Sequence, residues 1–367
     1  MARIDYRKSF LATLCISVVF IYSLKIHFLD KYFEDLDITT YSRHRPMKNT
    51  YNTWQRSLRR HPTSVKGASK IRNKTNYWLS KMKRDGESTY DKHKELPDCT
   101  LPLDLGPYNV EVNVSNDNTI FQNANLPLGG HSKPDNCTAL QKIAIVIPFR
   151  DREPHLEIWL HNMHPLLQKQ QADYGVYVVE QHGKSTFNRA KLMNIGYKEA
   201  VKEYDYNCFI FSDVDIIPMD QRNLYSCSKN PKHMSNSLDK FNFRLQYKTL
   251  FGGVVAFTKE QFLKVNGFSN KFWGWGGEDD ELYQRVIAAG MKIERRDQNI
   301  SKAKAILHKR DTGNERNRKS VSLIKKASKR MHIDGLSSLN YSIISISKHR
   351  LYTKVTADIG LPEQFIN

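Results

Sequence analysis

Metal-type cysteine pairs are absent from this chain of 367 residues. It has five cysteines and no Cys-x-x-Cys pair, which argues against the common structural zinc sites. Cys15 lies in an N-terminal apolar run, and the other four are Cys99, Cys137, Cys208 and Cys227. Four such cysteines fit two disulfides formed in an oxidising compartment, and the sequence leaves all three possible pairings open.

Acidic residues are scarce relative to basic ones, with 38 Asp and Glu against 57 Lys and Arg and a net charge of +19. Residues 41–95 alone hold fifteen Lys and Arg against four Asp and Glu. A basic run suggests nucleic acid, a membrane surface or an acidic ligand. This run lacks the spaced aromatics and the recognisable module of a nucleic-acid binder, so we expect no nucleic-acid partner.

A long apolar run extends from Phe10 to Leu24, preceded by Arg3, Arg7 and Lys8. A cleaved signal peptide is the alternative, but its apolar region is usually shorter, and no small-x-small cleavage site follows here. Counting on to Leu29 gives close to the twenty or so residues that a bilayer requires. We therefore expect a cytoplasmic tail at 1–8, an uncleaved transmembrane signal-anchor at 9–29 and a lumenal remainder.

Residues 30–96 are basic, polar and without sustained periodicity, which is typical of a poorly ordered lumenal stem. Five Asn-x-Ser/Thr sequons would accept glycans only on the lumenal side: Asn73, Asn113, Asn136, Asn299 and Asn340. The predicted orientation and the four lumenal cysteines therefore agree.

From residue 97 onward, apolar strand patterns alternate with helical ones. Strands are predicted at 143–149, 174–180 and 208–215, with helices at 154–171 and 187–204. Such alternation predicts an α/β domain with a mostly parallel sheet covered on both faces. In these sheets ligands bind beyond the carboxyl ends of the strands, where Arg150, Arg152, Asp213 and Asp215 fall.

Two aspartates, Asp213 and Asp215, end the third predicted strand. Carboxylates this close repel one another unless a cation joins them, and a divalent ion could also hold phosphate oxygens. The alternative is a strand-ending Asx turn. His308, next to Lys309 and Arg310, is a candidate second ligand, although a lone histidine is more often a surface or core residue.

Residues 272–281 combine two indoles, three glycines and four consecutive carboxylates. Acids are favoured in the first turn of a helix, which is the structural alternative. That alternative does not explain rings flanked by glycines, which are typical of a mobile loop that closes over a substrate.

Aromatic and guanidinium groups also follow the first two strands, in Pro148-Phe149-Arg150-Asp151-Arg152 and Phe187-Asn188-Arg189. The arginine fork matches phosphate oxygens, and a phenylalanine ring offers a surface to a uracil or ribose. Solvated loop arginines are the alternative.

Six segments together resemble the β-1,4-galactosyltransferase family (glycosyltransferase family 7), animal type II Golgi enzymes. In family order they are Ile-Pro-Phe-Arg-Asp-Arg, Phe-Asn-Arg-Ala-Lys-Leu, Phe-Ser-Asp-Val-Asp, Phe-Gly-Gly-Val, Trp-Gly-Trp-Gly-Gly-Glu-Asp-Asp and Leu-Tyr-Thr-Lys-Val-Thr-Ala-Asp-Ile-Gly. The resemblance runs from about Cys99 to Gly360. It implies a GT-A fold, Rossmann-like, over 97–367, and inverting transfer of a sugar from a UDP-sugar to a terminal N-acetylglucosamine.

The resemblance also implies roles for individual residues. Asp279 matches the general base, Asp215 and His308 match manganese ligands, and Gly277, Glu278, Asp279 and Asp280 match the acceptor-binding run. The expected disulfides are Cys99–Cys137 and Cys208–Cys227. The expected donor-binding residues are Pro148, Phe149, Arg150, Arg152, Phe187, Asn188, Arg189, Val214, Asp215, Leu250, Trp275, His308 and Arg310.

Three departures from the family pattern bear on chemistry. Ala305 replaces the methionine that is the third metal ligand in the vertebrate enzymes. Ser320-Val321 replaces an Arg-Phe pair over the acceptor acetamido group. Leu250 replaces a Tyr or Phe beside C2 of the donor sugar, which resembles invertebrate N-acetylgalactosaminyltransferases, because a smaller side chain leaves room for an acetamido group.

We therefore expect a Golgi membrane enzyme that uses Mn²⁺ to transfer N-acetylgalactosamine from its UDP-sugar to terminal N-acetylglucosamine on glycoproteins or glycolipids. Transfer of galactose to the same acceptor is the alternative. A non-catalytic carbohydrate-binding relative is a third hypothesis, motivated by Ala305 and opposed by the intact Asp215, His308 and Asp279.

Overall fold

A computed structural model describes residues 96–114, 126–309 and 312–362. The expected tail, anchor and almost all of the stem lie outside the described residues, as does Arg310. Within the described residues, no helix is long and apolar enough to cross a membrane. All of them belong to one compact unit that begins at Lys94.

A central eight-stranded sheet organises this unit. Its strands are β1 (Lys142–Phe149), β2 (Asp173–Gln181), β3 (Cys208–Ser212), β5 (Lys232–His233), β7 (Val254–Thr258), β8 (Glu294–Arg295), β10 (Ser342–Lys348) and β11 (Thr353–Asp358), in the order β10-β11-β2-β1-β3-β7-β5-β8. A second sheet contains β4 (Ile216–Pro218), β9 (Lys302–Ala305) and β6 (Ser237–Leu238), in the order β4-β9-β6.

The helices are α1 (Glu153–Lys169), α2 (Arg189–Glu203), α3 (Lys259–Lys264), α4 (Glu278–Ala288), α5 (Ser320–Lys325) and α6 (Ala327–Arg330). Two short 3₁₀ turns lie at Asp239–Phe241 and Leu336–Ser338.

The central sheet is mixed. Strands β11, β2, β1 and β3 run parallel, whereas β10 pairs antiparallel with β11, and β7 pairs antiparallel with both β3 and β5. The prediction of an α/β sheet is therefore confirmed, but the parallel part covers only its middle. The antiparallel strands β7 and β10 were not predicted, because the direction in which a strand pairs depends on distant partners. Strands β5 and β8 were missed because two residues show no periodicity.

Both faces of the sheet are covered, as predicted. Along β1, Ile143, Ile145 and Ile147 join the core that contains Trp159 of α1, whereas Ala144 and Val146 join the core on the α2 side. This alternation is the two-residue period of a strand buried on both sides.

Both disulfides implied by the family resemblance, Cys99–Cys137 and Cys208–Cys227, are present. Two predicted boundaries differ slightly. Strand β3 ends at Ser212 rather than at Asp215, because the chain turns there: Ile216 N donates to Asp213 O at 3.4 Å. Helix α2 begins at Arg189, because the buried Asn188 side chain caps it by accepting from Lys191 N at 2.9 Å.

Candidate functional site

The predicted donor residues gather at the carboxyl edge of the parallel strands. Arg150, just after β1, donates to Ser185 O at 2.7 Å and to Gly313 O at 3.2 Å, with its guanidinium 4.8 Å from the centre of the Phe187 ring. Arg152 reaches His308 Nδ1 at 2.7 Å. Two cations thus lie at the end of β1, where a diphosphate would be stabilised.

Asp215 and His308 are brought together by the small sheet. Strand β4 follows Asp215 and pairs antiparallel with β9, which precedes His308. The pairing continues to Asp215 itself, whose carbonyl accepts from Ile306 N at 2.8 Å. As a result, Asp215 Oδ2 lies 3.2 Å from His308 Nε2.

The Asp215–His308 contact favours the charged forms of both side chains. Burial opposes ionisation of Asp215, but the hydrogen bond from His308 and the charge of Lys240 outweigh it and lower the pKa of Asp215. The same hydrogen bond raises the pKa of His308. A metal would have to displace the proton from His308 Nε2; the pair would then offer an anionic oxygen and a neutral imidazole nitrogen, a donor set that suits divalent transition metals.

The two ligands predicted from sequence therefore fit a metal by chemistry and proximity. Among the residues that the structure describes, no group of three or more His, Cys, Asp and Glu converges as a metal cluster. Ala305 is 3% exposed and offers no side-chain donor; its backbone N–H donates to Asp239 Oδ1 at 2.8 Å. Of the ligands expected from the family, the side chains of Asp215 and His308 are thus brought together, and Ala305 adds none.

Arg189 links the donor edge to the acceptor run. Its Nε donates to Asp213 Oδ1 at 2.6 Å and its Nη1 to Glu278 Oε1 at 3.3 Å. Burial opposes the charged guanidinium, but the carboxylates of Asp213 and Glu278 outweigh it and raise the pKa of Arg189. The first aspartate of the Asp-Val-Asp motif thus faces an arginine, while the second faces His308.

The Trp-Gly-Trp-Gly-Gly segment forms a loop in front of α4. Trp275 N donates to Glu315 O at 2.8 Å, Asn317 N donates to Trp275 O at 2.9 Å, and the indole is 52% exposed. The backbone at Gly276 and Gly277 has φ values of 99° and 97°, which residues with a side chain rarely adopt. The glycines therefore turn the chain so that an open indole lies beside the acidic helix.

The acids after this loop divide into two groups. Glu281 is fully buried and accepts from Arg285 Nε at 2.7 Å and from Arg330 Nη2 at 3.0 Å, so it anchors α4. Glu278, Asp279 and Asp280 are only partly buried and lie in the first turn of α4. Glu281 therefore has a structural role. The partial exposure of Glu278, Asp279 and Asp280 leaves them able to contact a substrate, as the functional interpretation requires.

Asp279 lies tightly against the Phe-Gly-Gly segment. A Cβ added to Gly252 would come within 2.4 Å of Asp279 Oδ2, so only glycine allows this approach. Asp279 Oδ1 accepts from Asp280 N at 2.9 Å, which fixes the carboxylate in its first-turn position. Leu250 lies two residues before Gly252 in the same segment.

Crowding of acids raises pKa values in this turn. Burial and the charge of Asp279 raise the pKa of Glu278 to about 7, although Arg189 opposes the shift. The Oε2 atom of Glu278 is buried and has no hydrogen-bond partner among the described residues. Burial and Asp279 also raise the pKa of Asp280, which accepts from Tyr247 Oη at 3.0 Å.

Some predicted residues serve the fold. Phe149 is 2% exposed, so its ring packs in the core and does not offer an open surface to a base; Pro148 beside it is also buried. Asn188 is fully buried and is occupied as the cap of α2 and as a donor to Asn270 O at 2.8 Å. Val214, another expected donor-binding residue, is also buried in the core, with 7% of its surface exposed.

The Ser320-Val321 departure lies over the acceptor run. A Cβ added to Gly277 would come within 2.7 Å of Ser320 Cβ, so α5 begins directly against the loop. Val321 beside it is 60% exposed.

Three neighbours of the site were not predicted from sequence: Tyr247, Gly252 and Arg295. Tyr247 reaches Asp280, Gly252 makes room for Asp279, and Arg295 donates to Leu250 O at 2.7 Å. Gly252 stood within a quoted motif, so a close approach could have been inferred from it. Tyr247 and Arg295 carry no local signal, because only their tertiary partners distinguish them.

Comparisons with known families agree with this geometry. Residues 97–228 match the N-terminal region of glycosyl transferase group 7, and residues 232–309 match a model described as the N-terminal domain of galactosyltransferase. Mouse β-1,4-galactosyltransferase 1 is 47% identical over 271 residues, which cover 73% of this chain and 68% of the relative. Chinese hamster (Cricetulus griseus) β-1,4-galactosyltransferase 2 is 49% identical over 247 residues, 67% of each chain.

A solved structure is also similar. The catalytic domain of Drosophila β-1,4-galactosyltransferase 7 in complex with xylobiose has a TM-score of 0.54 at 27% identity and covers 60% of this chain and 95% of that one. A point mutant of that enzyme, in complex with manganese, UDP-Gal and xylobiose, has a TM-score of 0.52 at 28% identity over the same shares.

Proposed function

Because the chain belongs to the β-1,4-galactosyltransferase family of UDP-sugar-dependent hexosyltransferases, we propose that it transfers a hexose from a UDP-sugar to the 4-hydroxyl of a terminal N-acetylglucosamine. The donor is UDP-galactose or UDP-N-acetylgalactosamine. The observation that carries the proposal is the position of Asp279 beside Gly252 in the Phe-Gly-Gly segment. It places a carboxylate that can act as a base next to the segment that contains the expected donor-binding residue Leu250.

The proposed reaction is a single displacement. Asp279 accepts the proton of the acceptor hydroxyl while that oxygen forms a bond to the anomeric carbon and the bond from that carbon to the UDP oxygen breaks. UDP departs from the opposite face, so the configuration inverts once. Arg150 and Arg152 lie at the end of β1 and stabilise the departing diphosphate.

The acceptor sugar is oriented by the first turn of α4. Glu278 Oε2 is a buried acceptor oxygen with no partner among the described residues, and Asp280 is held by Tyr247. Two carboxyl groups on either side of Asp279 can thus receive acceptor hydroxyls while Asp279 takes the proton. The exposed Trp275 ring closes on the sugars, since aromatic faces pack well against them.

Asp215 and His308 would hold a divalent metal, for which we propose Mn²⁺. A Mn²⁺ complex is known for the Drosophila relative. When bound, the ion supplies positive charge that stabilises the leaving diphosphate. Without the methionine at Ala305, this chain contributes one oxygen and one nitrogen from the expected set.

The choice of donor sugar rests on two observations that point in different directions. The relatives named above are galactosyltransferases, which favours galactose over the N-acetylgalactosamine expected from sequence. Leu250 favours N-acetylgalactosamine as the second candidate, because it leaves more space than the Tyr or Phe of the vertebrate enzymes.

The test is to supply the purified full-length protein with Mn²⁺, an N-acetylglucosamine acceptor and each of the two UDP-sugars in parallel. Predominant galactose transfer supports the first candidate and predominant N-acetylgalactosamine transfer the second. Leu250→Tyr should move the preference toward galactose. Absence of transfer from both donors would refute the enzymatic proposal and favour the carbohydrate-binding alternative.

We also propose that the fold is of the GT-A type and that the protein is a single-pass type II Golgi membrane protein with a lumenal catalytic domain. The proposed location rests on the apolar run at 10–24 and on the disulfides, which form in oxidising compartments. Protection of the C-terminus from protease in sealed vesicles supports this orientation, and digestion of the C-terminus would contradict it.

A further inference from the structure

The segment Tyr247–Gly253, here called the donor-contact segment, is held on one side by the acidic turn of α4. Tyr247 Oη donates to Asp280 Oδ1 at 3.0 Å, and Gly252 lies against Asp279. Within the segment, Leu250 N donates to Tyr247 O at 3.1 Å and closes a tight turn. The position of Leu250 therefore also depends on the groups that bind the backbone carbonyls of this turn.

Arg295 binds these carbonyls. Its Nη2 donates to Leu250 O at 2.7 Å and to Lys248 O at 3.1 Å, so one guanidinium group binds two carbonyls of the same turn. Hydrogen bonds from a charged donor are stronger than neutral ones, and the planar fork fixes their direction. Lysine has a single nitrogen on a flexible chain, so it cannot bind both carbonyls and also keep the contact that Arg295 Nε makes with His233 Nδ1 at 3.2 Å.

His233 sets the orientation of Arg295. The two residues are register partners in the parallel pair β5–β8, and Arg295 Nε donates to His233 Nδ1 at 3.2 Å. His233 is fully buried, with its ring centre 5.9 Å from that of Phe251 in the donor-contact segment. Burial and the charge of Arg295 lower the pKa of His233 to about 3, so Nδ1 stays free to accept a hydrogen bond near neutral pH.

We propose that Arg295, oriented by His233, is a positioning residue that fixes Leu250 against the donor sugar and thereby sets the discrimination between UDP-sugars. This inference rests on the proposed function. Arg295 acts only through the backbone of the donor-contact segment. Its loss therefore changes the choice of donor more than it changes the chemical step at Asp279.

The experiment compares kcat/KM for UDP-galactose and for UDP-N-acetylgalactosamine in the full-length enzyme and its variants. We expect Arg295→Lys to change the ratio of the two values by about fivefold, somewhat less than the roughly 10- to 200-fold that a direct pocket contact can supply, because Arg295 acts through the backbone. Arg222→Lys is the matched control, because Arg222 forms a similar fork with Asp220, at 2.9 and 2.6 Å, outside the donor-contact segment. It should leave the ratio unchanged.

Two further variants separate positioning from general damage to the fold. His233→Asn keeps an acceptor for Arg295 and should retain the wild-type ratio, whereas His233→Phe removes the acceptor and should change it. In a Leu250→Ala background, Arg295→Lys should have no further effect on the ratio, because the side chain that it positions is gone.

An unchanged ratio in both Arg295→Lys and His233→Phe would overturn the inference, as would an equal change in His233→Asn and His233→Phe. If the wild-type protein transfers neither sugar, the proposed function fails instead. The ratio of binding affinities for the two UDP-sugars, measured by calorimetry with the same variants, then tests the positioning role independently.

Discussion

Glu278 should make the stability of this protein depend on pH in a way that a neutral replacement removes. Its side chain is 12% exposed, and burial together with the charge of Asp279 raises its pKa from the usual 4.5 to about 7. Because the folded-state pKa is the higher one, the stabilising contribution is complete below pH 4.5. It is lost as the pH rises to about 7.

At about 1.4 kcal/mol per pH unit, this shift corresponds to a loss of about 3 kcal/mol across that interval. Glu278→Gln cannot ionise, yet its amide oxygen can still accept from Arg189 Nη1. The difference in unfolding free energy between Glu278→Gln and wild type should therefore rise by about 2–3 kcal/mol from pH 4.5 to pH 8.

Urea denaturation of both proteins, followed by tryptophan fluorescence at half-unit pH steps, measures this difference. Glu153→Gln is the control for loss of a carboxylate as such, because Glu153 is also in the first turn of a helix, α1, but is exposed. A flat or falling difference for Glu278→Gln would refute the argument that crowded, buried acids hold Glu278 partly protonated.

Three other predictions concern the site. Asp279→Asn keeps an acceptor for Asp280 N but loses the base, so kcat should fall by about 100-fold or more without a fall in melting temperature; near-normal turnover would exclude Asp279 as the base. His308→Ala should weaken Mn²⁺ binding by at least about tenfold, measured by electron paramagnetic resonance on the protein without substrate, and undiminished binding would remove His308 from the ligand set. Glu281→Ala leaves Arg285 buried without its main carboxylate and should cost about 3–5 kcal/mol in urea denaturation, so a loss below about 1 kcal/mol would contradict the anchoring role.

The fold was predictable where its signals are local. The apolar pattern of β1 and the alternation with α1, β2 and α2 identified the α/β core, because strands buried on both faces are continuously apolar. Strands β5 and β8 were not predictable, since two residues carry no period, and yet they hold His233 and Arg295 in register. The mixed character of the sheet comes from β7 and β10, whose antiparallel pairing depends on distant partners.

The candidate site divides in the same way. Motif resemblance predicted roles for Asp215, His308 and Asp279, and it predicted both disulfides that the structure contains, because motifs record which residue types a chemistry requires. It could not separate Glu281, which anchors α4, from the three acids before it, since all four are adjacent in sequence and differ only in burial.

By itself, the amino-acid sequence determined the family and, through the family resemblance, the expected chemistry of its charged residues and the expected pairing of its cysteines. Only the tertiary structure decided which charges meet: Asp215 with His308, Arg189 with Asp213 and Glu278, and Arg295 with the backbone of Leu250. The physical reason is that residue chemistry is carried locally by each side chain. Contacts between distant residues depend on strand register and helix packing, which no short stretch of sequence specifies.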